Sequence, residues 1–117
     1  MNYKVLVTDE AIDDIFSLVR YIHMELCNPD AAERLYHNLD REVRNLGDFP
    51  LKFSDSGIRY RGYTIHKKVY KSYLIFYIIN QESEEIYVLR VLKDLMDWQK
   101  ILDKAKLYHF SDYRKQH

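Results

Sequence analysis

Cysteine, glycine and proline are scarce in this sequence, which contains one, three and two of them in 117 residues. So little glycine and proline excludes collagenous and loop-dominated chains, and 47% hydrophobic residues exclude a disordered one. The single cysteine, Cys27, cannot form an internal disulfide. Length and composition together predict one globular domain over residues 1–117.

Long apolar runs and a secretory signal are also missing. The longest apolar run, residues 73–79, has seven residues, whereas a membrane-spanning helix needs about 20. The N-terminal residues Met1-Asn2-Tyr3-Lys4-Val5 lack the apolar run and the small-residue cleavage site of a signal peptide. We therefore expect a soluble, cytoplasmic protein that does not bind a membrane.

Net charge is absent as well, because 18 Lys and Arg balance 18 Asp and Glu. A neutral chain does not coat nucleic acid or an anionic membrane through bulk charge. The neutrality is a cancellation, since residues 8–55 carry eleven acids and five bases, whereas residues 56–81 carry five bases and no acid. A polyanionic partner would therefore have to bind the basic segment, residues 56–81.

Two amphipathic helices are predicted after a short N-terminal strand at residues 3–7. Thr8 is placed to cap the first helix, and Asn28-Pro29-Asp30 opens a second one, which Gly47 is expected to end. The apolar stripe of the first helix consists of Ala11, Ile12, Ile15, Phe16, Val19, Ile22 and Leu26. Because the link is short, we expect an antiparallel helical hairpin.

Asp13 and Asp14 are neighbours in the first helix and therefore point to different sides of it. They do not form the paired carboxylates that acid–base catalysis needs. We expect both to lie on the solvated face of the helix.

The second half of the chain is predicted to be mainly strand. Residues 48–62 show no clear period and are predicted to be a loop, and strands are expected at 63–70, 73–79 and 86–92. With the N-terminal strand they predict an α+β fold, in which the helical hairpin packs on a mainly antiparallel four-stranded sheet. A short helix after Asp97 would follow, and the polar tail 111–117 is expected to be frayed.

Cations and tyrosines alternate in the basic segment. The cations are Arg59, Arg61, Lys67, Lys68 and Lys71, and the tyrosines are Tyr60, Tyr63, Tyr70 and Tyr73. Such a mixture supplies the phosphate contacts and stacking surfaces that recognition of single-stranded RNA requires. It is equally typical of an exposed sheet, because tyrosine favours strands and cations discourage pairing between strand edges.

The order of elements and three motifs resemble one known family. Tyr73-Leu74-Ile75-Phe76-Tyr77, then Ile86-Tyr87-Val88-Leu89-Arg90-Val91-Leu92, then Asp97-Trp98 resemble the "Y-x-I-F-Y … I-x-I-L-R-V-L … D-W" ending of the RelE/ParE toxins of type II toxin–antitoxin modules. Ala11 and Pro50 match the N-terminal half more loosely. The resemblance covers residues 3–102.

This resemblance implies a working surface on the concave side of the sheet, opposite the helices. Members of the RelE branch cut messenger RNA in the ribosomal decoding site without a metal, and members of the ParE branch poison DNA gyrase. A neighbouring antitoxin neutralises both. We therefore expect an antitoxin partner, with ribosome and mRNA or, alternatively, DNA gyrase as target, operator DNA bound only through the antitoxin, and no cofactor or metal.

RelE-like mRNA cleavage is our first hypothesis from the sequence. The positions matching functional residues of RelE-like nucleases are Arg61, His66, Lys67, Lys68, Arg90 and Lys93. Arg61, His66 and Arg90 are the catalytic candidates. The RNA contacts are Lys67, Lys68 and Lys93, together with Arg59 and Lys71 of the basic segment. His66 is the one histidine in the basic segment and could exchange protons near neutral pH; it could equally be an outward residue of an exposed strand. We expect all these side chains to face one hollow.

Two alternatives stay open, because arginines that relatives carry after the last strand are missing. Leu95 and Met96 stand there instead and cannot hold a phosphate. The alternatives are a ParE-like gyrase inhibitor and a degenerate, non-catalytic toxin that binds its antitoxin and operator DNA. In every case we expect an acidic, amphipathic antitoxin segment to bind the exposed apolar residues of the last two strands together with the basic face, either as a helix in a groove or as an added strand.

Overall fold

A computed structural model describes residues 2–104 and 107–110 of the chain. Its centre is a five-stranded sheet with the order β1-β5-β4-β3-β2. The strands are β1 (Lys4–Val7), β2 (Ser54–Tyr60), β3 (Tyr63–Tyr70), β4 (Tyr73–Asn80) and β5 (Glu85–Lys93). β1 runs parallel to β5, and all other neighbours are antiparallel. The predicted α+β class and order of elements are confirmed, whereas the tail 111–117 lies outside the described residues.

The sheet has five strands rather than the predicted four because part of the predicted loop 48–62 forms the edge strand β2. Pairing between β2 and β3 is interrupted between Asp55 and Arg59, where Gly57 has φ +88° and donates its N–H to the Asp55 carboxylate at 2.7 Å. This bulge breaks the alternation of a strand. The sequence pattern therefore concealed β2.

The helical hairpin consists of α1 (Asp9–Arg20) and α2 (Pro29–Arg44). Both predicted caps are present, since Thr8 Oγ1 and Asn28 Oδ1 accept backbone N–H groups of their helices at 3.0 and 3.1 Å. After α1 the chain forms a π-helical turn, Tyr21–Glu25. Phe16 and Leu26, expected in the buried stripe, are exposed. Leu26 directly follows the π-turn, whose wider geometry changes the direction of the side chains after it, whereas Phe16 lies within α1 and its ring stacks on Tyr36 of α2.

Gly47 does not end α2 as expected. The helix ends at Arg44, and Gly47 is the buried last residue of a 3₁₀ turn, Asn45–Gly47. A Cβ atom there would lie 2.6 Å from the carbonyl oxygen of Tyr3, whose N–H donates to the Gly47 carbonyl at 2.9 Å. Glycine is therefore required for close contact with the start of the chain.

Both faces of the sheet are covered. The hairpin face packs under α1 and α2 around Leu39, Ile75 and Tyr77. The second face packs under α3 (Trp98–Lys104) and the C-terminal strap, which we define as residues 107–110. Within the described part of the chain, no helix combines the length and apolar composition needed to cross a membrane.

Candidate functional site

The eight predicted site residues do not converge on one hollow. Cross-strand pairing aligns His66 with Tyr77 and Lys68 with Ile75, both on the hairpin face, whereas Lys67 pairs with Phe76 on the second face. Arg61 and Lys71 lie in the turns at opposite ends of β3. The expected common surface is therefore not formed, because alternation along β3 sends neighbouring cations to opposite faces.

His66 is held from two sides. Its Nδ1 lies 3.1 Å from the carbonyl oxygen of Phe53, and its ring stacks on Tyr77 at 5.3 Å between centroids. Because a carbonyl only accepts, Nδ1 carries the hydrogen in this bond. The Tyr77 hydroxyl in turn donates to the Pro50 carbonyl at 2.6 Å. His66 therefore packs on a residue of the hairpin-side core.

Lys68 is the most deeply buried of the predicted cations, with only 6% of its surface exposed. Its ammonium lies 3.2 Å from the Glu42 carboxylate, 2.9 Å from the Glu42 carbonyl and 5.1 Å from the centre of the Phe53 ring. A buried cation needs such partners. In this conformation Lys68 joins β3 to α2 and is not presented to a phosphate.

Arg90 is bound to Asp14 of α1. The guanidinium Nε and one terminal nitrogen donate to the two carboxylate oxygens at 2.7 and 2.8 Å, and the Val91 N–H donates to the same carboxylate at 3.0 Å. Burial raises the pKa of the Asp14 carboxyl, although the hydrogen bonds from Arg90 and Val91 oppose that rise. The expectation that Asp14 lies on the solvated face is wrong, because this carboxylate binds the edge of β5.

The remaining predicted cations are more accessible. Arg59 is exposed and paired with Asp55 at 3.2 Å, and Arg61 and Lys71 are exposed. Lys67 lies over the Trp98 ring at 4.9 Å. Lys93 donates to the Ser72 hydroxyl at 3.2 Å and lies over the Tyr73 ring. These cations surround the sheet rather than line a single site.

The second face, where the working surface was expected, is closed by the chain itself. Trp98 of α3 packs on Phe76 at 5.2 Å between ring centroids, and Tyr108 of the strap packs on Tyr60 at 5.0 Å. The strap is tied to α1, because the His109 N–H donates to the Glu10 carboxylate at 3.0 Å and the His109 carbonyl accepts the Asp9 N–H at 2.7 Å.

The antitoxin surface expected on the last two strands is not formed as predicted. Residues 73–79 of β4 are all buried, and the apolar residues of β5 are buried apart from Tyr87, which is half-buried. Both strands lie at the centre of the sheet with a cover on each face, so they offer no broad apolar surface. Exposed apolar side chains lie elsewhere.

A groove of about 630 Å³ runs between the end of α1 and the end of β5. One wall is formed by Leu18, Tyr21, Ile22 and Leu26, and the other by Val91, Leu92, Lys93 and Met96. Tyr21, Leu26 and Met96 are exposed. We call this the edge groove.

The residues that sequence analysis missed are Asp14 and the groove residues Tyr21 and Met96. An arginine in an apolar strand requires a counter-charge, and Asp14 is the neighbour of Ile15, which faces the core. These two observations together could have predicted the pair between Asp14 and Arg90. No local pattern marks the groove, since its walls come from distant segments. Across residues 2–104 and 107–110, no cluster of three or more His, Cys, Asp and Glu is arranged to hold a metal ion.

Comparisons with known proteins identify the family. The model of the ParE toxin of the type II toxin–antitoxin system parDE matches residues 5–98. No curated protein sequence matches the chain significantly.

Three solved structures share the fold. The toxin–antitoxin complex RelBE2 from Mycobacterium tuberculosis is 20% identical with a TM-score of 0.58, over 80% of this chain and 99% of that chain. The chromosomal ParDE system from P. aeruginosa is 14% identical with a TM-score of 0.61, over 78% and 95%. A double arginine-to-alanine mutant of the toxin RelE from E. coli, in the free state, is 16% identical with a TM-score of 0.55, over 87% and 94%. The protein belongs to the ParE toxin family of type II toxin–antitoxin systems, within the wider RelE/ParE group whose fold it shares.

Proposed function

We propose that this toxin arrests growth by binding a protein target, DNA gyrase, as the ParE branch does, and that an antitoxin neutralises it. The observation that carries the proposal is the engagement of His66, Lys68 and Arg90 by the protein's own Phe53, Glu42 and Asp14. RNA cleavage needs an acid or base and preorganised cations at one phosphate. Two of the three catalytic candidates, His66 and Arg90, and the predicted RNA contact Lys68 are already satisfied in this way, whereas the third catalytic candidate, Arg61, is exposed.

The closed second face supports the same proposal. An RNA strand would have to stack on the aromatic side chains of this face, but α3 and the strap already pack on Phe76 and Tyr60. A gyrase inhibitor requires only surface contacts with its target. The loss of the arginines at Leu95 and Met96 is therefore no obstacle to this function.

Parallel assays with the purified full-length chain test the proposal. We expect concentration-dependent inhibition of supercoiling by purified DNA gyrase, and no new cuts in mRNA on translating ribosomes when the products are mapped by primer extension. Codon-phased cuts with unaffected supercoiling would contradict it. If neither target responds while the antitoxin still binds, the chain is the non-catalytic module.

Ribosome-dependent mRNA cleavage is the second candidate, favoured by the accessible cations. Arg61 and Lys71 are exposed, and Lys67 lies beside the Trp98 ring, so these residues could contact phosphates and a base. If the chain cuts mRNA, Arg61→Ala combined with Lys67→Ala should abolish the cuts. The control Lys52→Ala removes an exposed cation from the turn before β2 and should leave them intact.

A further inference from the structure

A second groove lies on the side of the helical hairpin that the sheet does not cover. It has a volume of about 650 Å³ and is lined only by residues of α1, the π-helical turn and α2. Its walls include Phe16, Arg20 and Met24 on one side and Glu33 and Tyr36 on the other. We call this the hairpin groove. It shares no residue with the edge groove.

The hairpin groove exposes three large apolar side chains. Met24 is 63% exposed, Phe16 48% and Tyr36 39%. The rings of Phe16 and Tyr36 lie nearly parallel, with an interplanar angle of 8° and 6.2 Å between their centroids. These two rings therefore form a flat aromatic platform that joins α1 to α2. Contact with another molecule would remove this apolar surface from water.

Two opposite charges stand beside the aromatic pair, one on each wall of the groove. Arg20 lies four residues after Phe16 in α1, and Glu33 lies three residues before Tyr36 in α2. Because the two helices are antiparallel, both charges lie about one helical turn from the rings, toward the link between the helices. Within the described part of the chain, Arg20 has no ion-pair partner and Glu33 pairs with His37 alone, at 3.7 Å.

This arrangement is self-complementary. A two-fold axis that lies in the contact plane and runs parallel to the helices places α1 of one copy against α2 of another, at the same level. Arg20 then faces Glu33 of the second copy, and the symmetry repeats this pair on the other side of the axis. Phe16 faces Tyr36 of the second copy in the same way. The charged and the aromatic side chains are therefore matched by a single rotation.

We propose that two copies of this chain associate through their hairpin grooves as a symmetric dimer, with α1 of each copy on α2 of the other. A second copy is the fitting occupant because it supplies Glu33 to Arg20 and Arg20 to Glu33. A strongly acidic or strongly basic partner would instead leave one of these groups facing a like charge. The proposal does not depend on the proposed function, since the contact uses no residue of the edge groove or of the second face.

The mass of the purified full-length chain in solution provides the first test. Sedimentation equilibrium at increasing concentration should show a monomer–dimer equilibrium that approaches twice the monomer mass of 14.2 kDa. Met24→Glu should raise the dissociation constant of the dimer by about tenfold or more, because it places a charge in the apolar contact. Leu51→Glu is the matched control, since Leu51 lies outside the groove and is 62% exposed, and it should change the constant by less than about twofold.

Charge reversal tests the two-fold pairing. Arg20→Glu and Glu33→Arg should each raise the dissociation constant by about tenfold or more, because each variant brings two like-charged pairs together in its own dimer. An equimolar mixture of the two variants should form a heterodimer within about threefold of the wild-type constant, because every facing pair again joins opposite charges. Arg34→Glu makes the same charge change outside the groove and should alter the constant by less than about twofold. Thermal unfolding checks that every variant is folded.

Several results would overturn the proposed dimer. Monomer mass at every concentration would exclude it, and equal dissociation constants for Met24→Glu and Leu51→Glu would exclude this surface. A mixture of the charge-reversed variants that stays monomeric would exclude the two-fold pairing. If the wild-type chain is monomeric and Met24→Glu weakens antitoxin binding or gyrase inhibition, the groove binds that partner and not a second copy. Because mass is measured on the chain alone, a failure to arrest growth would contradict the proposed toxicity and leave this result unaffected.

Discussion

The two faces of the sheet are closed by different means. The hairpin face lies under two capped helices of 12 and 16 residues, whereas the second face lies under a helix of seven residues and a four-residue strap. A helix of seven residues is not stable by itself in water. Yet β4 is buried equally on both sides, with Tyr77 and Phe76 each fully inaccessible. Helix length therefore stabilises the cover of the hairpin face, whereas aromatic packing and contacts at the sheet edge stabilise the cover of the second face.

The largest effect is expected from removing Phe76, the centre of the second face. Phe76→Ala should lower the free energy of unfolding by about 3–5 kcal/mol, because it leaves a large cavity in a packed core. Leu39→Ala, its counterpart on the hairpin face, should cost about 2–5 kcal/mol. Urea unfolding followed by circular dichroism measures both. A loss below about 1 kcal/mol for Phe76→Ala would show that α3 and the strap are only loosely attached.

The pair between Asp14 and Arg90 joins α1 to β5 and should rank second. Asp14→Ala should cost about 1.5–3 kcal/mol, since it removes hydrogen bonds to a charged group and leaves Arg90 without its partner. The neighbouring, exposed Asp13 provides the control, because Asp13→Ala should change stability by less than about 0.5 kcal/mol. Equal values for the two variants in the same urea experiment would refute a stabilising role for the pair.

The strap contains one unsatisfied group, and removing that group should stabilise the second face. The Tyr108 hydroxyl is buried without a hydrogen-bond partner among the described residues. Tyr108→Phe should therefore raise the free energy of unfolding by about 1 kcal/mol. Tyr60→Phe should have the opposite sign, because the Tyr60 hydroxyl accepts the Tyr108 N–H at 3.2 Å. Thermal unfolding measures the stability change of each variant. Changes of the same sign for the two variants would contradict this assignment.

The smallest effect concerns the contact between the strap and Glu10. Burial raises the pKa of Glu10, but the hydrogen bonds from His109 outweigh it, and the net pKa lies below the ordinary 4.5. A lowered folded-state pKa stabilises the fold above pH 4.5, and this contribution disappears as the pH falls through the folded-state value. Glu10→Gln should cost about 0.2–1 kcal/mol at pH 7 and progressively less in acid. If the difference in free energy of unfolding between the wild type and Glu10→Gln does not change with pH, this contact does not contribute as described.

Sequence analysis succeeded where local rules decide. Thr8 and Asn28 cap their helices as predicted, because capping depends on a side chain and an N–H three residues apart. Strand β3 has the predicted bounds, and β4 and β5 extend the predicted ones by one residue at one or both ends. Strong β-forming residues between turn residues sufficed for these elements.

The candidate site was predicted less well, because it depends on register. Leu89 is an extra residue in β5, since Tyr77 pairs with Val88 and Phe76 pairs with Arg90. The bulge places Val91, rather than Arg90, in the hairpin-side core. A shift of one residue reverses the faces of all that follow, so alternation alone could not locate the Arg90 side chain.

The sequence by itself determined the α+β class, the two capped helices, the central strands and the family, because these follow from local propensity, periodicity and motif order. Only the tertiary structure decided that β2 completes the sheet, that Asp14 binds Arg90, that the chain's own C-terminal segment closes the second face, and that a groove opens beside Lys93. Each of these depends on contacts between segments far apart in sequence. Such contacts are set by strand register and packing, which a one-residue bulge is enough to change.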